Sequence, residues 1–165
     1  MSGAGSPKTD GGTDGTGLKI TVVAGRWHDR IADGLLAGAR RVLDASGAEI
    51  TEVRVPGSFE LAVVCQAALR AGADAVVALG VIIRGGTPHF EYISAAATNG
   101  LTQVALETGK PVGFGVLTLD DEQQGLDRAG LPGSKEDKGA EAAEAAIAAA
   151  RVLQQLAQAD AGTNR

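Results

Sequence analysis

The stretch richest in chemistry is residues 81–89, VIIRGGTPH, where two glycines precede a threonine, a proline and a histidine. Gly85 and Gly86 let backbone N–H groups approach an anion closely. Thr87 is a good N-cap and Pro88 suits the first helical position, so the positive end of a helix is predicted at the same place. The stretch therefore predicts either a phosphate or carboxylate site built from backbone groups, or a capped turn without a ligand.

Two titratable side chains near helix ends have alternative interpretations. His89 falls in the first turn of the predicted helix, where the positive end of the helix dipole favours a neutral imidazole that can accept a proton. A lone histidine is also commonly a polar residue with a satisfied hydrogen bond. Arg128 is either a solvated cation at a helix end or a group that folding, or a neighbouring subunit, brings to the anion.

Two further residues have a structural and a functional interpretation. Glu60 follows a Pro-Gly turn and opens a predicted helix, so it either complements that helix N-terminus or binds ligand hydroxyls. Trp27 is either a surface anchor or a stacking platform for a flat ring. No metal site is predicted, because the sequence has two histidines and one cysteine, Cys65, in an apolar run, without ligand-like spacing.

The elements that must position these residues alternate between strands and helices. Short apolar, β-branched runs predict strands, and apolar residues at helical spacing predict helices. Such alternation with short connections is typical of a parallel sheet with right-handed crossovers. The predicted strands are 20–24, 49–55, 75–83 and 112–117, and the predicted helices are 28–46, 58–71, 88–107, 121–129 and 138–157.

Flat and titratable side chains gather at one edge of this predicted sheet. In an open parallel sheet the ligand lies beyond the carboxyl ends of the strands. Both histidines and all five aromatic residues are predicted at or next to those ends. Aromatic residues ordinarily dominate a core, so this distribution indicates function. The five aromatic residues are Trp27, Phe59, Phe90, Tyr92 and Phe114.

Composition bounds the class of protein. A chain of 165 residues suits one domain, and its formal net charge of −5 argues against binding to phosphate backbones of nucleic acid. No apolar run approaches membrane-spanning length, and the first residues do not form a secretory signal. We therefore predict a cytoplasmic protein that binds neither nucleic acid nor membrane, with a disordered tail at residues 1–17 and a single domain at 18–160.

Three motifs, taken in order, resemble the lumazine synthase family between about residues 17 and 152. They are PGSFE at 56–60, LGVIIRGGTPHFEY at 79–92, and DRAG at 127–130 with a later Lys138-Gly139. The resemblance implies a transferase in the penultimate step of riboflavin biosynthesis. It would condense 5-amino-6-(D-ribitylamino)uracil with 3,4-dihydroxy-2-butanone 4-phosphate, giving 6,7-dimethyl-8-ribityllumazine, phosphate and water, without a metal or organic cofactor.

The resemblance also implies roles for individual residues. His89 would be catalytic, and the phosphate would be bound by Gly86, Thr87 and Arg128, with Lys138 as a further candidate. The uracil ring and ribityl chain would be bound by Trp27, Ser58, Phe59, Glu60, Val81, Ile82, Ile83 and Phe114. In the family, the counterparts of Phe114 and Arg128 reach into the adjacent subunit's site.

The implied architecture is a flavodoxin-like three-layer α/β sandwich, with a four-stranded parallel sheet of order 2-1-3-4 and helices on both faces. It would assemble as a homopentamer with active sites at subunit interfaces. Some members of the family form an icosahedral shell of sixty subunits. The loop at residues 131–137, LPGSKED, differs from that of known shell-formers and favours free pentamers.

Two hypotheses from other classes stand beside the enzyme. One is a non-catalytic module that binds a flavin or nucleotide on the same kind of sheet, since a fold alone does not determine function. The other is an assembly protein whose pocket is vestigial. The binding module would need neither His89 nor a phosphate-ester substrate.

Overall fold

Four parallel strands form one sheet in the described part of the chain. The computed structural model describes residues 13–163, with side chains described as far as residue 159. The strands are β1 (Lys19–Gly25), β2 (Glu49–Val55), β3 (Ala75–Ile83) and β4 (Val112–Leu119). Their order is β2-β1-β3-β4, and every neighbouring pair is parallel. The predicted order 2-1-3-4 is confirmed.

Helices cover both faces of this sheet. They are α1 (Asp29–Ser46), α2 (Leu61–Arg70), α3 (His89–Thr108), α4 (Glu122–Leu126) and α5 (Lys138–Thr163), and a 3₁₀ turn, Ser58–Glu60, precedes α2. One core lies between the sheet and α1 with α5, and a second lies between the sheet and α2 with α3. The predicted three-layer α/β sandwich is therefore confirmed.

Strand β3 is central and supplies side chains to both cores. Val77 and Leu79 belong to the core beneath α1 and α5, whereas Val76 and Ala78 belong to the core beneath α2 and α3. Successive residues of a strand point to opposite faces, so a strand covered on both sides must be apolar throughout. This is the physical reason for the nearly uninterrupted apolar run that predicted β3.

Element ends differ from prediction around the loops. Strand β4 continues to Leu119 because Thr118 and Leu119 pair with Ile82 and Ile83. Helix α4 ends at Leu126 rather than at residue 129, since the carbonyl of Asp127 accepts the loop N–H groups of residues 135 and 136. Helix α5 extends beyond the predicted residue 157 to residue 163.

The start of α3 corrects one prediction. The helix begins at His89, with Pro88 at the N-cap position and no side-chain capping hydrogen bond. Thr87 is therefore not the N-cap, and Pro88 is not the first helical residue. Because the φ angle of proline suits either position, the motif predicts the helix start only to within one residue.

The predicted tail falls in two parts. Residues 1–12 lie outside the described residues. In the remainder, Arg151 of α5 donates from Nε to the carbonyl of Asp14 at 2.8 Å and from Nη2 to that of Thr16 at 2.7 Å. The N–H of Gly15 donates to the carbonyl of Ser46 at 2.9 Å, so this short segment contacts both α1 and α5.

Two further features bear on the sequence predictions. Cys65 of α2 is fully buried, and burial raises the pKa of its thiol to about 12. It is therefore a small apolar residue of the core, as its apolar run indicates. No helix within residues 13–163 is long and apolar enough to cross a membrane.

The first turn of α5 lies close to α1. Small side chains of α5, among them Ala142, Ala143 and Ala146, are buried in the core between the sheet and these two helices. A Cβ atom added at Gly139 would collide with the backbone carbonyl of Leu35 in α1. Since a backbone group cannot turn aside as a side chain can, the first turn of α5 requires glycine at this point.

We predict that Gly139→Ala lowers the free energy of unfolding by about 1–3 kcal/mol, although alanine is the better helix former. Gly85→Ala is the matched control, because nothing lies within 4 Å of its added methyl group. Urea unfolding with linear extrapolation measures both variants. Equal stability of the two variants would contradict the close approach of α1 and α5.

Candidate active site

A cleft of about 540 Å³ opens beyond the carboxyl ends of β1, β2 and β3. It brings together eight of the residues predicted from the sequence, which come from three separate loops and strand ends. We call it the strand-end cleft, and its lining residues are Trp27, His28, Gly57, Ser58, Phe59, Glu60, Val81, Ile82, Ile83, His89 and Ile93.

Strand register creates this cleft. The ladder between β1 and β3 ends where Ala24 pairs with Leu79, whereas β3 continues to Ile83 alongside β4. Beyond Leu79, the β1 side of β3 therefore faces the cleft instead of a strand. The N–H and C=O groups of a strand edge are strong hydrogen-bonding groups and can recognise a planar heterocycle.

The turn after β2 supplies a carboxylate and a buried hydroxyl. Glu60 accepts a hydrogen bond from the N–H of Gly57 at 2.9 Å through Oε2, so it does stabilise the start of its helical segment. It also lines the cleft. Ser58 is 6% exposed, and its Oγ has no hydrogen-bond partner among the described residues. A buried hydroxyl without a partner in a cleft wall is suited to a polar ligand group.

The loop after β1 presents an exposed aromatic wall. The Trp27 side chain is 68% exposed although it is the largest apolar group of the chain. Its indole lies over Gly57, where an added Cβ would be 3.1 Å from Trp27 Cδ1. The Trp27 and His28 ring centres are 6.4 Å apart, with the planes tilted by 50°. The indole is thus held in place while most of it remains available for stacking.

His28 is the functional candidate that the sequence reasoning missed. It lines the cleft and is the N-cap residue of α1, with φ 57° and ψ 60° and no side-chain capping bond. Among the described non-glycine residues it alone has a positive φ. Such strain is commonly found at binding sites. The available signal was its position between a strand and a helix, next to Trp27.

His89 also lines the cleft. It is exposed and is the first residue of α3. The preceding turn carries Gly86 and Thr87, which are exposed and do not line the strand-end cleft of the single chain. Among the described residues, no atom beyond those of the chain neighbours lies within 4 Å of a Cβ built at Gly85 or Gly86, so the space above both glycines is open.

Three predicted residues lie elsewhere, in a second cleft of about 560 Å³ beside β4. Phe114, Arg128 and Lys138 line it, together with residues of α4 and α5, and we call it the β4 cleft. Phe114 pairs with Ala78 within the ladder, so the prediction that it lies at a strand end is wrong. A single chain therefore does not bring these three residues to His89.

Hydrogen bonds hold the cations of the β4 cleft in place. Arg128 donates from Nη1 to the carbonyl of Gln124 at 2.9 Å. Lys138 Nζ lies 2.7 Å from a Glu141 oxygen and 3.0 Å from a Glu136 oxygen. Burial lowers the pKa of Lys138, but the hydrogen bonds to Glu141 and Glu136 outweigh it, so the pKa is raised. Lys138 is therefore a firmly charged group.

The arrangement defines a class of protein. It is a three-layer α/β protein whose strand-end cleft offers a stacking surface, a free strand edge, a carboxylate and an imidazole. These groups suit a planar, hydroxylated small molecule and proton transfer to or from it. The site is thus typical of a protein that binds small molecules and can transfer protons to or from them.

Comparison with known proteins identifies the family. Residues 17–154 match the family model described as 6,7-dimethyl-8-ribityllumazine synthase. The chain is 73% identical over 157 residues to the protein of that name from Clavibacter michiganensis subsp. michiganensis, covering 94% of this chain and 98% of the relative. It is 72% identical over 156 residues to that of Leifsonia xyli subsp. xyli, covering 94% and 99%.

A third relative of the same name, from Kineococcus radiotolerans, is 66% identical over 148 residues, which are 89% of this chain and 91% of the relative. The chain belongs to the 6,7-dimethyl-8-ribityllumazine synthase family. The predicted family, enzyme class and place in riboflavin biosynthesis are confirmed.

We predict that His28→Gly is more stable than His28→Ala by about 1 kcal/mol, because a Cβ is disfavoured in the left-handed conformation and glycine is the better N-cap. Both substitutions remove the imidazole, so their difference reports the backbone conformation and the capping preference at residue 28 rather than loss of the side chain. Urea unfolding of the two variants measures it. An alanine variant as stable as the glycine variant would show that His28 is unstrained.

Proposed function

We propose that this chain makes 6,7-dimethyl-8-ribityllumazine at a composite site, formed by the strand-end cleft of one subunit and the β4 cleft of its neighbour. The single observation that carries this proposal is the division of the predicted residues between two clefts. His89 lies in one and Arg128 in the other. The strand-end cleft offers the uracil-binding groups and the imidazole, and the β4 cleft offers two cations and an aromatic ring.

In this proposal the strand-end cleft binds the ribitylaminouracil. The exposed indole of Trp27 and the Phe59 ring, 62% exposed, offer flat surfaces for the pyrimidine. The β3 edge at residues 81–83 offers N–H and C=O groups in the plane of the ring. The unpartnered hydroxyl of Ser58 and the carboxylate of Glu60 bind ribityl hydroxyls, since a carboxylate can accept several hydrogen bonds.

The phosphate of the second substrate binds at the turn before α3. Gly86 and Thr87 precede a helix of 20 residues whose N-terminus carries partial positive charge. The open space above Gly86 leaves room for an anion. Arg128, 38% exposed in its side chain, reaches the same phosphate from the neighbouring subunit's β4 cleft, and Phe114 closes the site from the same side.

The chemistry follows from this placement. The 5-amino group of the uracil attacks the ketone carbon of the butanone phosphate and forms an imine with loss of water. Loss of a proton from carbon 3 of the butanone gives an enamine, which expels phosphate from carbon 4 towards the charges around it, and the resulting enol tautomerises to a ketone. The ribitylamino nitrogen attacks this ketone carbon, and loss of a second water closes the ring. His89 transfers protons during these steps. Much of the acceleration comes from holding two substrates in register.

We propose that no metal or organic cofactor takes part, because condensation, elimination and ring closure move protons and need no net oxidation. The protein would work in the cytoplasm, where the single buried thiol suits a reducing compartment.

The composite site requires a homo-oligomer. We propose a pentamer, and the proline-containing loop at residues 131–137 favours a free pentamer over a shell of sixty subunits. The particle mass measured by light scattering distinguishes the two assemblies.

We predict that the purified chain converts the two substrates into lumazine and phosphate in equal amounts, and that His89→Ala lowers kcat about 10–100-fold. This loss is at or below the smallest rate contribution that is typical of general acid–base catalysis, because the variant still holds both substrates in position. Absorbance follows lumazine, and a colorimetric assay follows phosphate.

Thr98→Ala, exposed further along α3, is the control for His89→Ala and should leave kcat unchanged. Lumazine formation no faster than the spontaneous background would contradict the proposed enzymatic activity and favour a binding module or an assembly protein. An unchanged kcat in the His89 variant would remove this residue from the mechanism.

We predict that His89→Ala and Arg128→Ala subunits complement each other when they are co-expressed. In a random mixture, about one quarter of composite sites combine an intact strand-end cleft with an intact β4 cleft from a neighbour. Activity should therefore rise to about a quarter of the wild-type value. A mixture of Arg128→Ala with the double variant is the control, since it can never form an intact site. If that control and the test mixture are equally inactive, the site lies within one subunit.

A further inference from the structure

Arg84 connects three elements around the turn before α3. Its N–H donates to the carbonyl of Leu119 at 2.8 Å, so its backbone continues the ladder between β3 and β4. Its Nε donates to Asp120 Oδ1 at 3.0 Å, and its Nη1 donates to Glu91 Oε1 at 2.5 Å. The guanidinium carbon lies 4.1 Å from the centre of the Phe90 ring.

These contacts join the two ends of the turn. Arg84 lies at its start, whereas Phe90 and Glu91 lie in the first turn of α3, directly after His89. Between them, Gly85 and Gly86 have no side chains and only open space above them. A planar guanidinium that donates one hydrogen bond to each of two carboxylates and stacks on a ring has a defined orientation. The Arg84 side chain therefore connects the two ends of a glycine turn that has no side-chain contacts at Gly85 and Gly86 to stabilise it.

Charge balance argues against Arg84 as an anion ligand in its own right. The two carboxylates of Asp120 and Glu91 more than neutralise its single positive charge. Hydrogen bonds to Arg84 are the first cause that lowers the pKa of both carboxyl groups. The bonds to Asp120 and Glu91 in turn raise the pKa of the guanidinium. All three groups are thus charged at neutral pH, and the guanidinium is hydrogen-bonded to both carboxylates.

We propose that Arg84 is a positioning residue that braces the glycine turn, so that the N–H groups at residues 86 and 87 and the imidazole of His89 meet the phosphate-bearing substrate in register. This inference rests on the proposed function, because it assigns the turn to the phosphate. The brace acts through the backbone, and Arg84 itself does not contact substrate.

The test compares Arg84→Gln with Arg84→Lys. The lysine variant keeps the positive charge but loses the planar guanidinium that donates to both Asp120 and Glu91. Hydrogen exchange of the peptide covering residues 84–88 should accelerate in both variants. The inhibition constant of inorganic phosphate and the KM of the butanone phosphate should rise about tenfold in Arg84→Gln and at least about threefold in Arg84→Lys. The KM of the ribitylaminouracil should stay within twofold, because its cleft does not include the turn.

Arg40→Gln is the matched control, since Arg40 is also an exposed arginine paired with a carboxylate, that of Glu52 at 2.6 Å, away from the turn. It should change none of these values. Normal exchange and phosphate affinity in Arg84→Lys would overturn the brace and leave only a charge effect. Acceleration of exchange throughout the chain, or an equal loss for both substrates, would also overturn it. If the wild-type chain makes no lumazine, the proposed function fails, while local exchange at residues 84–88 still tests the brace.

Discussion

The unequal lengths of the central strands are the constraint on which the site depends. Strand β1 ends beside Leu79, but β3 continues for four residues because β4 pairs with it as far as Leu119. The additional pairing stabilises an extended edge that faces no strand on its other side. Loops after β1 and β2 then rise around that edge, and α3 begins beyond it. The cleft is thus a consequence of register, before any particular side chain is considered.

Much of this architecture was predictable because each element carries its own local signal. The apolar run of β3 requires cover on both faces, and β2 was predicted with its observed bounds, 49–55. The strand-end rule then located Trp27, Glu60 and His89 correctly at one cleft. These inferences succeed because periodicity and the direction of parallel strands act along the chain itself. They need no knowledge of distant contacts.

The remaining features depend on contacts that periodicity does not encode. Sequence spacing could not show that Phe114 faces the β4 cleft, since that depends on the approach of α5 to β4. The left-handed conformation of His28 is imposed by its loop against the preference of a side chain with a Cβ. The bonds of Arg84 join residues brought together by the β3–β4 ladder and the start of α3. Each of these misses comes from tertiary structure overriding, or adding to, a local preference.

The strand-end cleft also shows where stability gives way to binding. An exposed indole, a buried hydroxyl without a partner and a strained residue at a helix N-cap each cost folding free energy. The three residues concerned, Trp27, Ser58 and His28 respectively, all line this one cleft. The two cores below it are apolar and buried. A polar, planar ligand would relieve two of these costs, by covering the indole and bonding the hydroxyl. Two of the features that make the cleft less stable therefore favour its occupied state, and the apolar cores on both faces of the sheet supply the stability that offsets their cost.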